Sequence, residues 1–348
     1  MKAAIIKSPG ITAVENYEMP VPGKGEVLLK VDACALCGTD QRVLNGEKHV
    51  DVPIVGHEIS GTVAGVGEGV TSVSKGERYA VQTVIGCGRC PMCAISRENL
   101  CENGFKAIGY QWNGGFADYM IMPREGVEQG CLIPVSENMT DNEATLLEPL
   151  SCCINGMRII PLEEVQHMVV FGGGIIGVLN GLVAKARGAA YVTIMDVSQD
   201  RLDLLKRLDL PFDHFVNSAE TSPEAWVEEH TAGRGVDVVV VAASVNALVR
   251  QGMNLLARDG HLSIFAGMPK SDPSEVIDLN LIHYSELHIH GANSSVKRDY
   301  IEAEQMISSG LIKGSSLITH VFSLDDFNRA VEVQGDPASG ALKVIIKP

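Results

Sequence analysis

The stretch "VVFGGGIIG", residues 169–177, decides the fold of the second half of the chain. An apolar β-type run meets three consecutive glycines, and a helix-like apolar pattern follows at once. Gly172-x-Gly174-x-x-Gly177 is the spacing of a strand–turn–helix that cradles a dinucleotide pyrophosphate. Gly172 permits the tight turn, Gly174 lets backbone approach the phosphates, and Gly177 lets helix and strand pack closely. The helix N-terminus supplies free N–H groups and the positive end of a dipole. The next strand, "YVTIMD" (191–196), ends in Asp196. That carboxylate would accept hydrogen bonds from the adenosine ribose and repel a 2′-phosphate, and "VSQ" after it offers no arginine to bind one. The expected cofactor is therefore NAD, with Gly172, Gly174, Ile175, Ile176, Gly177, Asp196 and Arg201 as the candidate binding residues.

Working outward, "HMVVFGG" reads as a buried strand, 175–187 as a helix and 199–208 as an amphipathic helix. "DHFVN" follows, then a helix opened by "TSPEAW", the strand "VDVVVVAA", a helix over 245–257, "GHLSIFAG", and "LHIHGA" (287–292). Strands alternating with helices of this length predict parallel βαβ units and a doubly wound sheet. Residues 1–155 have another texture: short alternating runs such as "EVLLKVDACA", with turn signals about every ten residues, predict an all-β, barrel-like domain. Helices at 299–309 and near 324–333 precede a last strand, "ALKVIIKP". That strand suits the β-rich domain better than the edge of a parallel sheet. The expected division is 1–155, 156–292 and a return over 293–348.

The 348 residues are enough for two cores. A formal net charge of −15 disfavours nucleic acid and anionic membranes as partners. The N-terminal apolar run is too short for a secretory signal, and glycines and Asn180 interrupt the most apolar stretch, 168–186. A cytoplasmic location is expected. Nine cysteines in such a chain point to metal binding more than to disulfides.

Four of those cysteines, Cys87, Cys90, Cys93 and Cys101, fall in "CGRCPMCAISRENLC" (87–101), where they can serve chemistry, structure or redox response. A separate set comprises Cys37 in "CALCGTD", His57 and Glu58 in "VGHEISG", and Glu148 in "LLEPLSC". Thiolate, imidazole and carboxylate with an open position make a catalytic zinc set. Cys34-x-x-Cys37 also reads as a redox pair, but its surroundings are β-rich rather than βαβ.

The motifs "CGTD", "GHEISGTVAGVGEGV", the four-cysteine lobe, "GGFADY", "EPLSC" and "GGGIIG" stand in one order along nearly the whole chain. In this the sequence resembles the zinc-dependent medium-chain dehydrogenase/reductase family. Glu148 followed by Pro-Leu-Ser is similar to the sorbitol, polyol-phosphate and threonine dehydrogenases, where simple alcohol dehydrogenases carry cysteine. The resemblance implies an α/β architecture: a GroES-like β-rich catalytic domain, carrying a structural zinc lobe over 86–102, and a Rossmann domain, with the active site in the cleft between them. It implies two zinc ions per chain, the four-cysteine one structural, since four thiolates leave no open position. It further implies reversible oxidation of a secondary alcohol or polyol to a ketone. Zinc would lower the hydroxyl pKa, Thr39 would relay the proton, and hydride would pass to the nicotinamide. Glu58 is either a fourth ligand or a neighbour that exchanges with water. A homodimer or homotetramer is the family expectation, with the strand near 287–291 as a pairing edge.

The alternatives are threonine-type amino-alcohol oxidation and a non-catalytic NAD-binding protein on the same scaffold. One departure stands out: "CGTDQR" puts Arg42 where the family often has a relay histidine. Arginine stays protonated and cannot finish a relay. With Lys48, Lys297 and Arg298 it offers positive charge for an anionic substrate.

Overall fold

The computed structural model describes residues 1–348, which form two compact units: residues 1–151 with 294–348, and residues 152–293. The first boundary falls four residues before the one read in the sequence, and the helix Leu147–Gly156 runs through it.

The second unit is built on a six-stranded parallel sheet. Its order is His214–Asn217, Tyr191–Asp196, His167–Phe171, Val236–Val241, Leu256–Ile264 and His288–Gly291. The chain starts in the middle, winds to one side, then crosses to the other. The order reverses beside His167–Phe171, where such sheets bind ligands at the carboxyl ends of their strands. Uniform apolar runs (HMVVF, VDVVVV) are what a sheet covered on both faces requires. Val169, Phe171, Val239, Val241 and Leu262 form its core. The helix Ile175–Ala186 lies tight against the first strand because Gly177 has no side chain: a Cβ there would sit 1.9 Å from the Gly172 carbonyl oxygen.

The first unit carries a seven-stranded sheet in the order Ile318–Ser323, Lys343–Lys347, Val27–Ala35, Glu58–Val66, Arg78–Val81 and Leu132–Pro134, with Tyr119–Met122 also pairing Val27–Ala35. The C-terminal strand joins antiparallel to Val27–Ala35, with Ile345 opposite Ala35 and Ile346 opposite Cys34. Ala35 in turn lies opposite Glu58. The ends of three strands distant in sequence therefore meet at one place.

Several elements differ from the sequence reading. The first segment is not all-β: helices Gly38–Leu44, Arg124–Gln129 and Leu147–Gly156 interrupt it. The first two span less than two turns, too little for a helical period to stand out. The helix expected over 245–257 is Ala247–Leu255, because the next strand begins at Leu256. The strand Ile318–Ser323 and the helix Leu279–Ser285 were not expected. The helix buries none of its residues and so lacks an amphipathic signal. No helix is long and apolar enough to cross a membrane.

Candidate active site and metal centres

Cys37 follows the end of the strand Val27–Ala35 and is the N-cap of the helix Gly38–Leu44. Its Sγ accepts from the Thr39 N–H at 3.5 Å, and its own N–H donates to Asp40 Oδ2 at 3.0 Å. Asp40 is buried, and its second oxygen, Oδ1, lies 3.2 Å from His57 Nδ1. One carboxylate thus fixes both the thiol-bearing cap and the imidazole, and it leaves His57 Nε2 for a metal. His57 is also held from behind. The Thr83 hydroxyl donates to its carbonyl at 2.9 Å, while the Thr83 N–H donates to the Tyr300 hydroxyl at 3.2 Å. The turn before it needs glycine: Gly56 has φ +96°, and a Cβ would strike Cys34 Sγ and the Phe116 ring.

Beside His57, Glu58 is 1% exposed and forms an ion pair with Lys343, itself 0% exposed, whose Nζ also donates to the Leu36 carbonyl at 3.2 Å. Burial raises the Glu58 carboxyl to about 7, while Lys343 pulls it down and Glu148 pushes it up. Burial disfavours the charged Lys343 ammonium, but Glu58 and Cys37 outweigh it and hold its pKa above the ordinary value. For His57, burial again opposes the proton, yet Asp40, Tyr110 and Cys37 together raise its pKa well above normal. Every acidic group here favours an added positive charge. The ligand atoms of Cys37, His57 and Glu58 lie within 4.8 Å of one another, a donor set that fits zinc.

Glu148 stands outside this tight triplet. It is half-buried in the helix Leu147–Gly156, and its charge acts on Glu58, Lys343 and Tyr110. Thr39 is half-buried in the first turn after Cys37. Arg42 is exposed, and its carbonyl accepts from the Glu47 and Lys48 N–H groups.

In the lobe, the four sulfurs of Cys87, Cys90, Cys93 and Cys101 also gather within 4.8 Å. The Cys87–Cys93 separation is 4.0 Å and the Cys90–Cys101 separation 3.8 Å. A tetrahedron with Zn–S bonds of about 2.3 Å has edges of about 3.8 Å, so the lobe fits a closed zinc site. A hydrogen bond from Asn103 lowers Cys87 to about 6, and the Cys93 N–H lowers Cys90. Burial raises Cys93 to about 12. None of the nine cysteines forms a disulfide.

In the second unit, Gly172 has φ +107° and Gly174 caps the helix Ile175–Ala186 with open space where a Cβ would stand. Asp196 Oδ2 accepts from the Gly173 N–H at 2.7 Å, and Oδ1 accepts from the Ser198 N–H at 2.9 Å. A Cβ on Gly173 would meet the Arg201 side chain. The glycine turn, Asp196 and Arg201 are therefore neighbours, with Ile175 and Ile176 half-buried in the first helical turn. An open glycine cradle at a helix N-terminus fits a pyrophosphate.

The "Alcohol dehydrogenase GroES-like domain" profile matches residues 23–133, and the "Zinc-binding dehydrogenase" profile matches residues 176–309. The L-threonine 3-dehydrogenase of Thermococcus kodakarensis is 31% identical, over 99% of this chain and 97% of its own. The sorbitol dehydrogenase of Halalkalibacterium halodurans is 29% identical, over 97% and 96%. A proposed zinc-binding dehydrogenase of Sinorhizobium meliloti, solved bound to NADP, is 30% identical and superposes with TM-score 0.89 over 100% of this chain and 99% of its own. The chain belongs to the zinc-dependent medium-chain dehydrogenases.

As a member of that family it is a zinc-dependent alcohol dehydrogenase working with a nicotinamide cofactor. Sequence reasoning missed two residues around its site, Lys343 and Thr83. Lys343 is the first lysine of "ALKVIIKP", and a lysine in a terminal strand carries no local sign of burial. The only clue was the inferred return of that strand to the first domain. Replacing Lys343 by Met leaves Glu58 buried without its partner, a loss of roughly 3–5 kcal/mol. Metal-stripped Lys343→Met protein should show the unfolding midpoint of the first unit lowered by about 10 °C. Adding Glu58→Gln should recover much of that. An unchanged midpoint in scanning calorimetry would refute the pairing.

Proposed function

We propose that this dehydrogenase reversibly oxidises a secondary alcohol of a polyol-type substrate to the ketone, with NAD as partner. The observation that carries the proposal is the triplet of one half-buried thiolate, one buried imidazole and one buried carboxylate, with Glu148 close enough to act on it electrostatically. Replacing the second thiolate of simple alcohol dehydrogenases by a carboxylate gives a harder donor set, suited to a substrate that chelates through neighbouring oxygens.

Cys37, His57, Glu58 and Glu148 would hold the catalytic zinc, and the Cys87, Cys90, Cys93 and Cys101 thiolates the structural one. Bound at the first set, zinc supplies a Lewis acid that favours the alkoxide form of the alcohol. Asp40 orients His57, and Lys343 keeps one Glu58 oxygen occupied so that the other is free to approach the metal. The Thr39 hydroxyl would receive the substrate proton; Arg42, less than one turn further along the same helix, stays protonated, so solvent rather than a histidine would take that proton on. Gly172, Gly174 and Gly177 would admit the pyrophosphate to the helix N-terminus, and Asp196 would bind the ribose. NAD held there supplies the hydride acceptor. The similarity to threonine dehydrogenases keeps an amino-alcohol as the second substrate class.

We also infer a cytoplasmic homodimer or homotetramer. The strand His288–Gly291 ends the parallel sheet with one edge unpaired, and Val276, Leu279 and Tyr284 nearby in sequence are 70–80% exposed.

A panel of polyols, sugar acids, polyol phosphates and threonine, followed by NADH absorbance, tests the substrate class. Oxidation of at least one of the first three is expected; oxidation of threonine alone would contradict the polyol reading. For the cofactor, Asp196→Ser should shift the kcat/KM ratio towards NADP by about tenfold or more, since one like-charge contact is removed. An unmodified enzyme that already prefers NADP would overturn the role given to Asp196.

A further inference from the structure

Two chains of hydrogen bonds end on the backbone of metal-set residues, and both start from one short segment, residues 295–300. Ser295 is 1% exposed, and its Oγ lies 2.7 Å from that of the fully buried Ser151. The Ser151 hydroxyl donates to the Glu148 carbonyl, also at 2.7 Å. A hydroxyl has a single hydrogen, so in the contact between the serines Ser295 is the donor. The chain therefore runs from Ser295 through Ser151 to Glu148. Five residues on, the Tyr300 hydroxyl accepts from the Thr83 N–H, and the Thr83 hydroxyl donates to the His57 carbonyl. Ser151, Ser295, Tyr300 and Thr83 are all buried, so solvent competes little for these bonds.

The segment is a firm base for both chains. The Val296 N–H donates to Oδ2 of the buried Asp299 at 2.9 Å, at the start of the helix Lys297–Ser308. Along that helix, the Ser136 N–H donates to Glu304 at 3.3 Å and the Asn138 side chain to the Ser308 carbonyl at 2.8 Å. Ser151 is the last residue before the chain leaves the first unit, and Ser295 is the second after it returns. One hydrogen bond thus pins outgoing and returning chain together, three residues from Glu148. Glu148 needs such a pin more than the other metal-set residues do. Cys37, His57 and Glu58 gather within 4.8 Å, whereas Glu148 stands apart on a helix whose second half belongs to the other unit.

We propose that Ser295 is a positioning residue for the metal site. Through Ser151 it holds the first turn of the helix Leu147–Gly156 where the Glu148 carboxylate reaches the other three ligands. Tyr300 holds His57 in the same way through Thr83, so one returning segment sets an imidazole and a carboxylate together. The proposal rests on the assignment of Glu148 to the metal set and adds what fixes its reach. Hydrogen bonds in a buried chain strengthen one another, so losing the first donor loosens the rest.

The test uses enzyme carrying Co2+ at the mixed site and Zn2+ in the lobe, whose visible spectrum reports coordination at the mixed site alone. Glu148→Gln should shift that spectrum. Ser295→Ala should shift it in the same direction and speed Co2+ release to a chelator about three- to tenfold, the worth of one hydrogen bond. Added to Glu148→Gln, Ser295→Ala should change nothing further, because it acts through that residue. Tyr300→Phe, which acts on His57, should add an effect of its own to Glu148→Gln. A cobalt spectrum and release rate untouched by Ser295→Ala, even with a lowered unfolding midpoint, would mark an ordinary structural bond and overturn the proposal. Full additivity of Ser295→Ala with Glu148→Gln would overturn it as well; either result leaves the assignment of Glu148 standing. A Glu148→Gln spectrum identical to that of the wild type would overturn both.

Discussion

The buried ion pair between Glu58 and Lys343 is the interaction on which the catalytic unit depends. A carboxylate and an ammonium both lose hydration at this depth, and neither would stay charged alone. Paired, each favours the charge of the other, and Lys343 binds the Leu36 carbonyl as well. The pair joins residues 285 positions apart and locks the final strand to the strand ends that carry Cys37 and His57. Its second effect is chemical. Lys343 opposes the burial that raises the Glu58 carboxyl to about 7 and occupies one of its oxygens, leaving the other for the proposed metal.

Around that pair, the site is positioned by backbone contact more than by side-chain packing. Gly114 lets two turns approach to a distance that a Cβ would forbid, Gly109 keeps that approach close, and Gly56 makes room for Cys34 and Phe116. That approach brings Tyr110 to His57, and Asp40 ties the same imidazole to the cap carrying Cys37. The second unit uses the same device, where Gly177 lets a helix press on the strand feeding the glycine turn. In both places a missing methyl group creates the geometry, and polar hydrogen bonds then hold it.

Much of this was legible in the sequence because it is local. The strand–glycine–helix pattern at 169–177 spans nine residues, and the four cysteines of the lobe span fifteen. Cys37, His57 and Glu58 were legible as types, and their motif order carried the family resemblance. What was not legible is what tertiary contact creates. "ALKVIIKP" reads as an ordinary strand with a polar position, and only its neighbours make Lys343 a buried counter-ion. Tyr110 stands in a glycine-rich turn with no periodicity, so nothing marks its ring as facing a histidine. The strand Ile318–Ser323 exists because Lys343–Lys347 offers it an edge, and the helix Leu279–Ser285 buries no face that could have announced it.

The central claim is that one chain holds two chemically distinct zinc sites, closed by sulfur in the lobe and mixed where Glu58 meets Lys343. X-ray absorption at the zinc edge of the purified, fully loaded enzyme tests it most directly. Four sulfurs at one site and one at the other predict an average near two and a half sulfurs per zinc, with nitrogen and oxygen filling the remainder. An average near four sulfurs, with a single zinc per chain, would contradict the account.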